Sequence, residues 1–99
     1  MNESCYDIKH IAYDYLQNNS KAGKEIVRAD LVNFLRAKLK CGSDISINSS
    51  IIGSVNILLK ALSDNGFITR VSRGKYAFMS KLEMSFVEFY NTYIYGRRF

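Results

Sequence analysis

The sequence predicts a small α+β domain with the element order helix, short strand, helix, helix, two-stranded hairpin, helix. Three observations carry this. Apolar residues recur at helical spacing in four separate segments. Two runs rich in β-formers, "FITRV" at 67–71 and "KYAFM" at 75–79, flank the turn "SRG". A lone β-branched pair, Ile26 and Val27, stands between the first two helical segments.

The first helix is expected over about Ser4 to Asn18. Ser4 and Asp7 have the spacing of a capping box. Ile8, Ile11, Ala12, Tyr15 and Leu16 form one buried stripe, and "NNSKAG" stops the helix with turn-forming residues. "EIV" at 25–27 reads as a short extended piece able to pair with the later hairpin. The second helix should start near Ala29 or Asp30, where an acidic side chain suits the positive end of the helix dipole. Its buried stripe is Leu31, Phe34, Leu35 and Leu39, with Arg28, Asn33 and Arg36 facing solvent.

"CGSDISIN" is long for a turn, and the alternation of Ile45 and Ile47 about Ser46 suggests a partly extended link. Asn48 or Ser49 then caps a third helix running to about Asn65. Ile52, Val55, Leu58, Leu59 and Leu62 mark its buried side; Ser49, Gly53, Asn56, Lys60 and Ser63 mark the other. Gly66 follows as a left-handed terminator. In the hairpin Gly74 should supply a positive φ, and Tyr76 with Phe78 are favoured over Ala77 with Met79 as the inward pair. A fourth helix is expected after Ser80, because Ser80 to Glu83 reads as a capping box. Leu82, Phe86, Phe89 and Tyr93 then recur like the seam of a short coiled coil, widened by Tyr90 and Ile94.

The 99 residues make one domain in size, with residues 1–79 as its body and 80–99 as an added helix. Lys and Arg number 14 against nine Asp and Glu, for a net charge of +5. The excess is uneven: residues 67–99 hold six basic and two acidic side chains, so the charge follows the hairpin. A local cationic surface favours polyanionic partners, though it also serves plain solubility. Cys5, Cys41 and His10 have no metal-ligand spacing, so no structural zinc or other cofactor is expected. The two cysteines are read as free thiols, with a single disulfide as the alternative. No phosphate-binding loop, zinc-protease or serine-hydrolase motif is present, and a dyad of His10 with Asp7 or Asp14 lacks a nucleophile; no enzymatic activity is expected. No signal peptide is visible and no stretch approaches 18 consecutive apolar residues, which favours an intracellular, cytoplasmic protein with no membrane partner.

The third-helix end "LLKALSDNGFI" and the hairpin "TRVSRGKYAF" carry a family resemblance. With the element order, they resemble the winged helix-turn-helix domain, in the compact form common in archaea and their viruses. The resemblance spans about Ile8 to Met79. It departs from the family in its long link before the third helix and in the single basic residue, Lys60, of that helix. It implies a transcriptional regulator of double-stranded DNA, with the third helix in the major groove and a basic wing on the backbone or in the minor groove.

Carried onto this chain, the implied nucleic-acid residues are Ser49, Ser50, Gly53, Ser54, Asn56 and Lys60 on the third helix. Arg70, Arg73 and Lys75 follow on the wing, with Lys24 and Arg28 at the start of the second helix. Asn56 suits an adenine edge because its amide both donates and accepts, while Lys60 suits a phosphate. Arg97 and Arg98 either extend this footprint or form a frayed basic end. The final helix resembles an appended dimerisation helix, which implies a homodimer through Leu82, Phe86, Phe89, Tyr90, Tyr93 and Ile94; folding back on its own domain is the other option. Two further functions stay open: a winged-helix assembly module that never touches DNA, and a chromatin-type coat indifferent to sequence. No small-molecule ligand is evident.

Overall fold

The computed structural model describes residues 5–40 and 45–95, with side chains from Asp7 onward. The expected Ser4 cap, any pairing of Cys5 with Cys41, and the basic end at Arg97 and Arg98 lie outside the described residues. Within them the chain is a mixed α+β fold of four helices and a three-stranded antiparallel sheet. The order is α1 (Cys5–Asn18), β1 (Glu25–Val27), α2 (Arg28–Leu39), α3 (Ile45–Asp64), β2 (Ile68–Ser72), β3 (Lys75–Phe78) and α4 (Phe86–Phe89). The last helix continues as a π-helical turn over Tyr90–Ile94.

The sheet order is β1-β3-β2, so the short first strand adds to the outer side of the hairpin. Ile26 stands opposite Tyr76 and Val27 opposite Lys75. Ile26 is buried, as a β-branched residue on the core face of a strand should be. Between β2 and β3 the register shifts after Arg70, and Ser72 pairs with Lys75, which leaves Val71 bulged and exposed. Arg73 and Gly74 make the turn, and Gly74 has φ +74. A side chain there would be strained, so glycine suits the position. Gly66 closes α3 with φ +81, as the terminator role requires. Phe78 is buried and Tyr76 half-buried, while Met79 is exposed, in keeping with the favoured strand face.

One core holds the fold together. Ile8, Ala12, Tyr13 and Leu16 of α1 meet Leu31 and Leu35 of α2, and Ile51, Val55, Leu58 and Leu62 of α3. Ile68, Phe78, Leu82, Phe86 and Phe89 complete it. Helix α3 is long and apolar enough, by length and composition, to cross a membrane. Six of its apolar residues are buried in this core, which accounts for much of its apolar character.

Three expectations change. Helix α3 begins at Ile45 and not at Asn48, so Ile45 and Ile47 are helical. Ile47 and Ile51 are four apart and share the inward face, and a two-residue alternation does not exclude that spacing. Helix α4 begins at Phe86, capped by Ser85, whose Oγ accepts the Glu88 N–H at 3.2 Å. The N-cap is therefore Ser85 and not Ser80.

The segment before the cap is held out of the helix by α1 and the residues after it. Tyr13 Oη donates to the Met84 carbonyl at 2.8 Å. Gln17 Nε2 donates to the Leu82 and Met84 carbonyls, and Leu82 N–H donates to Ser20 Oγ. Those carbonyls and that N–H are thus engaged by side chains instead of by a helical turn.

The third change concerns the last helix. Leu82, Phe86 and Phe89 lie inside the chain's own core, at most 2% exposed. The Tyr13 ring lies 5.0 Å from Phe89 and 5.7 Å from Phe86, and the Phe67 ring 5.9 Å from Phe89. These three residues have no surface to offer a second copy. Tyr90, Tyr93 and Ile94 are half-buried against the same core. Its aromatic residues thus pack on the chain's own body.

Two predictions follow from this packing. Phe89→Ala should cost about 3–5 kcal/mol, as for a large buried aromatic, read from a urea midpoint. A loss below about 1 kcal/mol would mean that Phe89 is not in the core. Burial, with Asp14 and Glu88 nearby, pushes the Tyr13 phenol up to about 12. In the unfolded chain a tyrosine ionises near pH 10. The stabilisation tied to the neutral phenol is full below pH 10 and is lost as pH rises through about 12. Across that window the melting temperature should fall more steeply for the parent than for Tyr13→Phe; parallel profiles would contradict the burial of this hydroxyl.

Candidate nucleic-acid interface

Strand β1 runs directly into α2. Val27 ends the strand and also precedes the first helical residue, with extended φ −105 and ψ 122 and no side-chain cap. Because Val27 pairs with Lys75, the next residue, Arg28, arrives beside the hairpin turn. Its backbone N–H donates to the Gly74 carbonyl at 2.9 Å. Its side chain crosses to α3, where Nη2 and Nε donate to Asn56 Oδ1 at 2.7 and 3.2 Å. Three segments far apart in sequence therefore meet at one point: the start of α2, the outer face of α3 and the tip of the hairpin. The sequence places Arg28 facing solvent; with these contacts it is half-buried.

Three further cations lie on the hairpin that carries Gly74. Arg73 is exposed in the turn and Lys75 is exposed opposite Val27. Arg70 is exposed on β2 and lines a groove of about 230 Å³ with Asn56, Lys60, Ser63, Asp64 and Tyr76. Lys60 Nζ lies 3.2 Å from Asp64 Oδ2, one helical turn away, with the lysine side chain 77% exposed. Exposed pairs of this kind hold their partners weakly, so Lys60 is available to an incoming anion. Lys24 is not part of the cluster. It donates to Asn19 Oδ1 at 3.1 Å and sits at the far end of β1, about 10 Å along the strand from Val27.

On the first half of α3 the predicted residues divide. Ser49 is exposed, and Ser50 and Gly53 are half-buried. Ser54 is 1% exposed and cannot reach a groove. It lies three residues after Ile51 and four before Leu58, on the inward stripe, where a small side chain fits beneath the helix. Arg36, which the sequence places facing solvent on α2, donates from Nε to Asn48 Oδ1 at 2.8 Å. Arg36 and Asn48 line a second groove with Ser49, Ile52, Gly53 and the exposed Ile45.

Sequence reasoning missed Arg36, Asn48 and Tyr76. A signal for the first two exists: the eight-residue spacing of Arg28 and Arg36 is mirrored by that of Asn48 and Asn56. His10 stacks on Phe86, with ring centroids 4.7 Å apart, and Nε2 lies 3.4 Å from Asp14. Among the described residues no group of three or more His, Cys, Asp or Glu is placed to hold a metal ion. No protein-family model, curated protein or solved structure matches the chain.

The burial pattern predicts a contrast on α3. Ser54→Lys should destabilise the fold by forcing a cation into the core, whereas Ser49→Lys should leave the melting temperature unchanged within about 2 °C, as exposed substitutions do. Equal melting temperatures for the two variants would contradict the inward placement of Ser54.

Proposed function

We propose that the protein is a double-stranded-DNA-binding transcriptional regulator of the winged helix-turn-helix kind. In this reading α3 enters the major groove, and the β2–β3 hairpin is a wing lying on the backbone or in the minor groove. The observation that carries it is the meeting of Arg28, Asn56 and Gly74, with Arg73, Lys75 and Arg70 on the adjoining hairpin. Cations from separate elements gathered beside an exposed helix face suit a rod of phosphates better than a small ligand. The sheet order, in which β1 joins the hairpin before α2 begins, is consistent with the same reading.

Of the α3 residues placed toward a groove, Ser49 and Asn56 are exposed, with Ser50 and Gly53 half-buried beside them. Arg73 at the turn suits a narrow minor groove, where the potential is most negative. Lys75, Arg70 and Lys60 suit phosphates, which position the protein without reading sequence. A homodimer would pair through the groove of Ile57, Ala61, Tyr93 and Ile94, since Leu82, Phe86 and Phe89 are committed to the core.

A second reading, an assembly module that does not touch DNA, draws on one observation. Ile45 is 81% exposed beside the groove containing Ile52 and Gly53, an apolar feature that a protein partner would cover. Fluorescence anisotropy of a labelled random 30-base-pair duplex at two salt concentrations separates the two. Regulator function predicts binding that weakens sharply with salt. Arg73→Ala with Lys75→Ala should lower the slope of log affinity against log salt by about 1.8, for two phosphates lost. Folded protein that fails to bind at low salt would sink the DNA reading and favour the module. Tight binding with no preference in a sequence-selection experiment would favour a chromatin-type coat.

A further inference from the structure

Helices α2 and α3 are joined across their exposed edge by two arginine–asparagine rungs. Arg28 donates to Asn56 and Arg36 donates to Asn48. The order reverses from one helix to the other, as it must when antiparallel helices touch. Eight residues span about 12 Å of helix, so the rungs are about that far apart. Midway between them Val32 and Ile52 pack against the core and hold the helices in this register.

The chemistry of the first rung bears on what Asn56 can recognise. A carbonyl oxygen has two lone pairs, and Arg28 donates twice to this one. Asparagine reads adenine by accepting and donating together. With its acceptor engaged, Asn56 has only its amino group to present. Arg28 is held by its Nε and Nη2 edge, and among the described residues no hydrogen bond or carboxylate engages Nη1. The rung therefore presents N–H donors and a positive charge, and no acceptor.

Its partner is also neutral. An arginine oriented by a carboxylate loses much of its field to the partner; one oriented by an amide keeps its full charge. Lys60, paired with Asp64, is the contrast on the same face.

We propose that Arg28, oriented by Asn56, is a phosphate grip for the duplex backbone, and that Asn56 is a positioning residue and not a reader of bases. The proposal rests on the DNA-binding reading above. Guanidinium matches the paired oxygens of a phosphate, and fixing it before contact removes part of the ordering cost of binding. Arg36 on Asn48 repeats the arrangement one rung away and extends the same track.

The test measures binding of two 30-base-pair duplexes, one A·T-rich and one G·C-rich, and of long-chain inorganic polyphosphate, by the parent and variants whose folding is checked by circular dichroism. Asn56→Ala should weaken both duplexes by the same factor, about two- to tenfold, with the salt slope unchanged. Arg28→Ala should lower the slope by about 0.9. Arg28→Lys should keep the slope and lose affinity, because the charge stays and the planar fork goes. The double variant Arg28→Ala with Asn56→Ala should bind no more weakly than Arg28→Ala alone, since Asn56 acts through Arg28.

A loss on Asn56→Ala confined to one duplex, or additive losses in the double variant, would overturn the proposal and restore Asn56 as a base reader. Arg28-dependent binding of polyphosphate without binding of either duplex would keep the phosphate grip and overturn the DNA reading. Failure of the parent to bind any of the three ligands would overturn both.

Discussion

The pairing of Glu25–Val27 with Lys75–Ala77 is the constraint on which the exposed face depends. It is only three residues long, yet it joins two stretches of chain separated by the whole of α2 and α3. Hydrogen bonds from Gly23 N–H to the Phe78 carbonyl and from Phe78 N–H to the Lys24 carbonyl extend it at one end. At the other end the Arg28 N–H to Gly74 bond carries it to the turn. Because α2 begins where the strand stops, the position of the hairpin tip and the origin of α2 are set together. A strand with a different register would move Arg28 away from Gly74 and from Asn56 at once.

A second tie works from the opposite side of the molecule. Tyr13, Gln17 and Ser20 hold the segment at 82–84 through its carbonyls and an N–H. That arrangement drops Leu82, Phe86 and Phe89 into the space between α1 and α3, where a domain of this size has most to gain from added apolar burial. The described part of the final segment thereby serves the stability of the body, while Asn56, Arg70, Arg73 and Lys75 stay exposed. Core and candidate interface occupy separate sides of α3: Ile51, Ser54, Val55, Leu58 and Leu62 point inward, while Ser49, Asn56 and Lys60 point outward.

What was legible in the sequence was what short-range chemistry decides. Gly66 and Gly74 sit where a positive φ is needed, "EIV" pairs with the hairpin, and the apolar stripes of α1 to α3 are buried or half-buried. What was not legible depends on contacts between distant residues. Two serine–glutamate pairs, Ser80 with Glu83 and Ser85 with Glu88, both match a capping box; Tyr13 and Gln17, more than 60 residues earlier, occupy the carbonyls ahead of the second. Ser54 resembles its exposed neighbours in chemistry, and only its place in the helical turn makes it inward. Asn56 was visible as a polar residue on an outer face. Its clamping by Arg28 follows from the way α2 packs on α3.

In the proposed function the start of α2, the outer face of α3 and the hairpin tip act as one surface for a nucleic-acid duplex. The most direct measurement is a set of ¹H–¹⁵N correlation spectra of the labelled protein, recorded as a short duplex is added. The account predicts that shifts concentrate on the backbone amides of Arg28, Asn56, Arg73, Gly74 and Lys75 and on the Arg28 Nε–H. Shifts centred instead on Ile57, Tyr93 and Ile94, or an unchanged spectrum at low salt, would contradict it.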